Sequence, residues 1–91
     1  MHYVYVLHNL KSKQYYFGCT DDLRRRFSEH QNGENVSTKL NCEHWKLIFY
    51  EAYLSKKDAL IREKQLKRHS SASIFLKKRL INSLIELGMK G

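Results

Sequence analysis

Proline is absent from the 91-residue chain, and glycine appears only four times. No stretch has the composition of a linker, no tract is of low complexity, and no segment repeats another. A single domain over residues 1–91 is therefore the expectation. No apolar run approaches the roughly 18 residues needed to span a bilayer, and none forms the apolar centre of a signal peptide. A cytoplasmic protein with no membrane contact follows. Cysteine is scarce too. Cys19 and Cys42, the only two, stand 23 positions apart, and in that compartment they read as reduced thiols. Cys42 and His44 form a C-x-H pair, but no second pair at zinc spacing accompanies it, so zinc is not expected.

Acidic residues are few. Nine Asp and Glu against 17 Lys and Arg leave a net charge of +8. That field attracts polyanions, and nucleic acid is the commonest of these in the cytoplasm. Charge alone equally fits a solvated surface that keeps the protein in solution. With 42% hydrophobic and 29% charged residues, the composition is that of a folded globular chain.

The first segment, MHYVYVLHN, alternates and is rich in β-branched and aromatic residues, which predicts a strand. LKSK reads as a turn and QYYFG as a second strand. A four-residue loop over 9–12 would pair His8 with Lys13 and set Tyr5 opposite Tyr16. Thr20 or Asp21 can cap a helix running to about Gln31, where Asn32-Gly33 gives a left-handed stop. Residues 33–43 read as loop. HWKLIFYEAY is apolar on both faces (Trp45, Leu47 and Phe49; Ile48, Tyr50 and Ala52), as in a strand covered on both sides. Ser55-x-x-Asp58 opens a helix over KKDALIREKQLKRH. Ser70 or Ser71 starts a third helix, carrying Leu76, Leu80, Ile81, Leu84 and Ile85 to Gly88. The order ββαβαα predicts an α+β fold (an α/β sandwich), a small three-stranded antiparallel sheet flanked by helices.

Two helices carry polar groups where apolar ones belong. In the first, Leu23, Arg26, Phe27 and His30 fall at i, i+3, i+4 and i+7 on one face. In the second, Glu63 sits in the stripe of Ala59, Leu60 and Leu66. A carboxylate on a core-facing stripe is costly unless a cation or metal meets it. Tyr5 and Tyr16 of the hairpin share that prospect, so five polar side chains from three elements could converge on one floor of the sheet. Each also has an ordinary structural reading. The tyrosines suit core-edge aromatics, Arg26 can snorkel over Phe27, His30 can complement the helix dipole, and Glu63 can pair with Arg26. Taken together, the set suits metal-assisted phosphodiester hydrolysis. One carboxylate can hold a magnesium-like ion that keeps most of its waters, a guanidinium matches phosphate, and a tyrosine of lowered pKa can take a proton from water.

The assembled residues resemble the GIY-YIG nuclease family. YVY at Tyr3–Tyr5 is similar to its first motif and YFG at Tyr16–Gly18 to its second, with ten residues between them. TDDLRRRFSEH is similar to the segment in which an arginine and a histidine stand four apart, matching Arg26 and His30. YEAYLSKKDALIREKQLK is similar to the stretch bearing the metal-binding glutamate, matching Glu63. The resemblance is strongest to small stand-alone members and to the nuclease module of the excision-repair incision subunit. It implies a compact domain on a three-stranded antiparallel sheet and Mg2+ or Mn2+ held by Glu63. It further implies Tyr5 as base for the attacking water, Tyr16 organising the water and phosphate region, Arg26 neutralising the scissile phosphate and His30 supporting the nucleophile. Gly18 would permit close backbone approach. Two positions depart from the pattern: Tyr3 stands where the first motif usually has glycine, and Phe17 where the second has an aliphatic residue. Asn82 matches no motif.

The expected activity is a divalent-metal-dependent endonuclease hydrolysing DNA, structure-selective in repair or recombination. Arg24, Arg25, Lys39, Arg62, Lys64 and Lys67 are the expected nucleic-acid contacts. The alternative is a non-catalytic nucleic-acid-binding module on the same fold. A protein partner or homodimer is left open by the sequence.

Overall fold

In the computed structural model, which describes residues 1–67 and 71–88, three strands form one antiparallel sheet in the order β2-β1-β3. They are β1 (His2–Asn9), β2 (Tyr15–Thr20) and β3 (Trp45–Tyr53). Helices α1 (Leu23–Gln31), α2 (Lys56–Lys67), α3 (Ser71–Arg79) and α4 (Ile81–Glu86) accompany them, with a 3-10 turn at Val36–Thr38 in the expected loop and another at Cys42–His44 that takes His44 out of the expected strand. The α+β sandwich is as the sequence predicts.

The central position belongs to β1, and Val4 to Asn9 are all buried. Alternation along the strand feeds two cores. Val4 and Val6 pack with Ala59 and Leu66 of α2 and Leu76 of α3, while Tyr5 and Leu7 pack with Trp45, Leu23 and Phe27 beneath α1. Being covered on both sides is thus the property of β1. β3 is an edge strand whose Tyr50 is 53% exposed.

Its alternation also breaks. Val6 faces Phe49 but Leu7 faces Leu47, so Ile48 is an extra residue, a β-bulge. Ile48 and Phe49 consequently both pack on the α2 side, whereas Trp45 and Leu47 lie on the α1 side. Tyr50 becomes the partner of Tyr5. The sequence pattern grouped Phe49 with Leu47 because it assumed unbroken alternation.

The hairpin register differs from expectation by two residues. His8 pairs with Tyr15, Leu7 with Tyr16 and Tyr5 with Gly18. The loop still has four residues, but over 10–13, because Asn9 pairs with Gln14 and its Oδ1 accepts from the N–H groups of Lys11 and Ser12. Lys13 takes the left-handed conformation, φ 65°. A shift of two preserves facing, so Tyr5 and Tyr16 remain on one side of the sheet.

The helix limits follow local chemistry. Asp22, rather than Thr20 or Asp21, caps α1, its Oδ1 accepting from Arg25 N–H at 3.1 Å. Gly33 (φ 75°) stops it. Ser55 Oγ accepts weakly from Asp58 N–H at 3.4 Å ahead of α2. α2 buries Ala59 and Leu66 but leaves Leu60 44% exposed, so Leu60 is no part of the buried stripe. The predicted ends of α2 at Arg68 and His69, and Ser70 as start of the third helix, lie outside the described residues. That third helix bends at Leu80 (φ −98°, ψ 10°), dividing α3 from α4. The bend keeps Leu76 and Leu80 in the core and leaves Ile81 and Ile85 about half exposed.

Because α2 packs through Leu66 and not Leu60, Leu66→Ala should cost about 2–5 kcal/mol and Leu60→Ala under about 0.5 kcal/mol. Urea denaturation of the two variants measures the difference, and equal losses would mean that α2 buries a different face.

Candidate active site

Tyr5 points from the middle of β1 toward α1, and only the absence of a side chain on its cross-strand partner lets its ring lie there. A Cβ built on Gly18 would stand 2.3 Å from Tyr5 Oη. From that position Tyr5 Oη meets His30 Nε2 at 2.8 Å, and His30 Nδ1 meets Thr38 Oγ1 at 2.7 Å. Thr38 is itself anchored, since its carbonyl accepts from Trp45 Nε1 at 2.9 Å. Tyr5, His30 and Thr38 are all buried. Tyr16 closes the group, its ring centroid 4.7 Å from that of His30 and 6.2 Å from that of Tyr5.

Burial controls the protonation of this chain. It pushes the Tyr5 phenol up to about 12, the adjoining Arg26 opposing the rise and Tyr16 and Glu63 adding to it. Burial and then the Arg26 charge bring His30 down to about 4. Near neutral pH the phenol is therefore protonated and the imidazole uncharged. A neutral imidazole has one N–H, so the chain's protons all run one way, from Tyr5 toward Thr38 or from Thr38 toward Tyr5.

Arg26 stands beside Tyr5 and donates from Nη1 to Glu29 Oε1 at 3.0 Å. The Glu29 carboxylate, then Tyr5, hold its guanidinium charge above the ordinary arginine range. Arg26 lines a cleft of about 400 Å³ at the β2 edge, shared with Glu63, Lys56, Cys19, Thr20 and Glu29. Glu63 arrives there from the other side, because α2 packs on the opposite face of the sheet. The single floor expected from the sequence is thus a cleft round a sheet edge, with Tyr5 and His30 buried behind Arg26. The Glu63 side chain is 18% exposed, and Lys67 Nζ lies 3.6 Å from it.

Among the described residues no group of three His, Cys, Asp or Glu side chains could hold a metal ion. Glu29 and Asp21 also line the cleft but are paired with Arg26 and Arg25. Glu63, one partly buried carboxylate on an open cleft, fits a divalent ion that keeps most of its waters, and does not fit a closed protein cage.

The expected nucleic-acid contacts divide. Arg25 lines the Glu63 cleft, Arg24 lies beside it on α1, and Lys67 pairs with Glu63. Arg62 is drawn to Glu51 at 2.8 Å, and Lys39 and Lys64 are exposed outside the cleft lining. Asn82 is exposed on α4. Thr38, Glu29 and Lys56 are not among the site residues expected from the sequence. Glu29 had a signal, standing three residues after Arg26 on the same helix, whereas Thr38 sits in a polar loop with no periodicity to mark it.

The model for the GIY-YIG catalytic domain matches residues 1–79. A UPF0213 protein of Streptococcus pneumoniae serotype 4 is 36% identical over 66 residues, 72% of this chain and 66% of its own. The chain thus spans just under two thirds of that relative's length. UPF0213 proteins of Halobacterium salinarum and Natronomonas pharaonis are each 35% identical, over 79% and 88% of this chain and 92% and 89% of theirs. No solved structure matches.

Two outcomes test the buried chain. The unfolded state binds a proton at His30 that the folded state resists, so folding stability is full above about 6.5 and declines as pH falls toward about 4. His8, lowered by burial, acts in the same direction. The urea midpoint should fall over that window and fall less in His30→Gln; an unchanged slope would remove His30 as the source. Thr38→Val keeps the shape but leaves His30 Nδ1 without its partner. It should lose about 1–3 kcal/mol and alter the His30 tautomer signals in 1H–15N spectra, whereas unaltered signals would mean that Thr38 does not set the tautomer.

Proposed function

The chain belongs to the GIY-YIG catalytic-domain family, and we propose that it is a divalent-metal-dependent endonuclease that hydrolyses DNA phosphodiester bonds. One observation carries this reading: Arg26 and Glu63, from opposite faces of the sheet, meet in one cleft directly in front of the buried Tyr5–His30 pair. A binding module would gain nothing from a carboxylate at that point, since it repels phosphate.

In this reading Arg26 grips the oxygens of the scissile phosphate, exchanging part of its contact with Glu29 for the substrate. Glu63 holds Mg2+ or Mn2+, which when bound neutralises charge on the phosphate and leaving oxygen. Tyr5 takes a proton from the attacking water. With its pKa near 12 the phenol is a proton donor before it is a base, and the chain supplies the outlet. When His30 Nδ1–H donates to Thr38 Oγ1, Nε2 accepts from the Tyr5 hydroxyl, so Tyr5 passes its own proton to Nε2 in the same step in which it takes the water's, and no phenolate is left standing. With a pKa near 4, His30 readily gives that proton up again. Tyr16 packs on the imidazole and holds its plane. Lys56, Arg24, Arg25, Lys64 and Lys67 attract the polyanion, so binding weakens steeply with salt.

The test is cleavage of labelled single-stranded, duplex, flap and four-way-junction DNA with Mg2+ or Mn2+. Glu63→Gln and Arg26→Ala should each cut at least about a hundredfold more slowly, with Glu63→Gln still binding DNA. Near-normal cleavage by either variant would remove that residue from the mechanism. Binding without cleavage by the wild-type chain on every substrate would leave a non-catalytic binding module.

A further inference from the structure

A second groove, of about 690 Å³, lies on the α1 side of the sheet between the start of α1 and the ends of β1 and β3. Its walls are aromatic. Tyr3 and Tyr50 meet edge to face with ring centroids 5.9 Å apart, and Phe27 lines the same groove. Tyr50 is 53% exposed, and it faces this side only because the bulge at Ile48 changes the phase of β3. The volume lies within the range of small-molecule sites and accommodates a nucleobase.

The groove adjoins the Arg26–Glu63 cleft, since Asp21 and Arg25 line both. Charge sorts the two. Asp21 and Asp22 stand on the groove and repel phosphate, yet their carboxylates can accept hydrogen bonds from the N–H groups of a base edge. Arg24 and Arg25 flank it from α1. Arg24 is exposed and has no ion pair among the described residues, while Arg25 holds Asp21 and Glu29 only loosely, at 3.6 and 3.7 Å. An uncharged ring therefore suits the groove, and the backbone attached to it suits the arginines and the adjoining cleft.

We propose that this groove receives one unpaired DNA base, stacked against Tyr50 and Tyr3, beside the phosphate held at Arg26. The inference deepens the nuclease reading and rests on it for the identity of the polymer. A base within a duplex has both faces covered by its neighbours, so only an unpaired or extruded base can offer a face to Tyr50. The preferred substrate is then DNA with unpaired nucleotides at the scissile phosphate. Tyr3, which stands where the family's first motif usually has glycine, becomes a wall of the substrate site.

Binding can be read without cleavage. The probe is a short single-stranded DNA carrying one 2-aminopurine, in EDTA, compared with the same strand annealed to its complement. Wild type should quench the single-stranded probe further and leave the fluorescence of the duplex probe, already dimmed by stacking, unchanged. Tyr50→Ala should bind the single strand about tenfold more weakly, the loss of one stacked base, with duplex affinity unchanged, and Tyr50→Phe should restore both quenching and affinity. Wild-type affinity and quenching in Tyr50→Ala, or no quenching by wild type, would overturn the proposal. Adding Mg2+ or Mn2+ to the same strands separates the two readings. Cleavage indifferent to Tyr50→Ala refutes the groove and keeps the nuclease; Tyr50-dependent quenching with no cleavage refutes the nuclease and keeps the groove.

Discussion

The 2.8 Å hydrogen bond between Tyr5 Oη and His30 Nε2 sets the terms for much of this small protein. Both groups are buried, and a buried polar atom without a partner costs more than a made bond returns. Each half therefore constrains its surroundings. Tyr5 requires that nothing project from Gly18. His30 requires an acceptor or donor at Nδ1, and Thr38 supplies it only because the loop after α1 folds back and is pinned by Trp45. The bond thus joins the central strand, the helix above it and the loop beyond.

The sheet is narrow, and that narrowness shapes the cleft. With three strands, β2 is an edge, and α1 and α2 on opposite faces can both reach round it. Arg26 and Glu63 meet there although a layer of backbone separates their helices. A wider sheet would keep them apart. The other edge, β3, carries the bulge that turns Tyr50 toward α1, so both edges contribute to one side of the molecule.

Much of the fold was legible in the residues. Alternation in MHYVYVLHN, the helical spacing of Leu23, Phe27 and His30, and the stop at Asn32-Gly33 are local signals, and the structure follows them. The inward position of His30 was legible for the same reason, since periodicity names a face whatever residue occupies it. Three features were not. The hairpin register depended on Asn9 choosing to cap its own loop, the exposure of Leu60 on how α2 rolls against the sheet, and the facing of Tyr50 on one extra residue in β3. In each case competing arrangements differ by a single hydrogen bond or a small rotation, which no window of sequence weighs.

The sequence by itself determined which side chains could share a face, because helical and strand periods are properties of the backbone. It also determined the excess of positive charge. Only the tertiary structure decided which faces meet: that Glu63 arrives from the opposite layer, that Thr38 completes the buried chain, and that Tyr3 and Tyr50 become neighbours. Those pairings join residues far apart in the chain, and they are selected by how the layers pack as a whole and by the need to satisfy every buried polar atom at once.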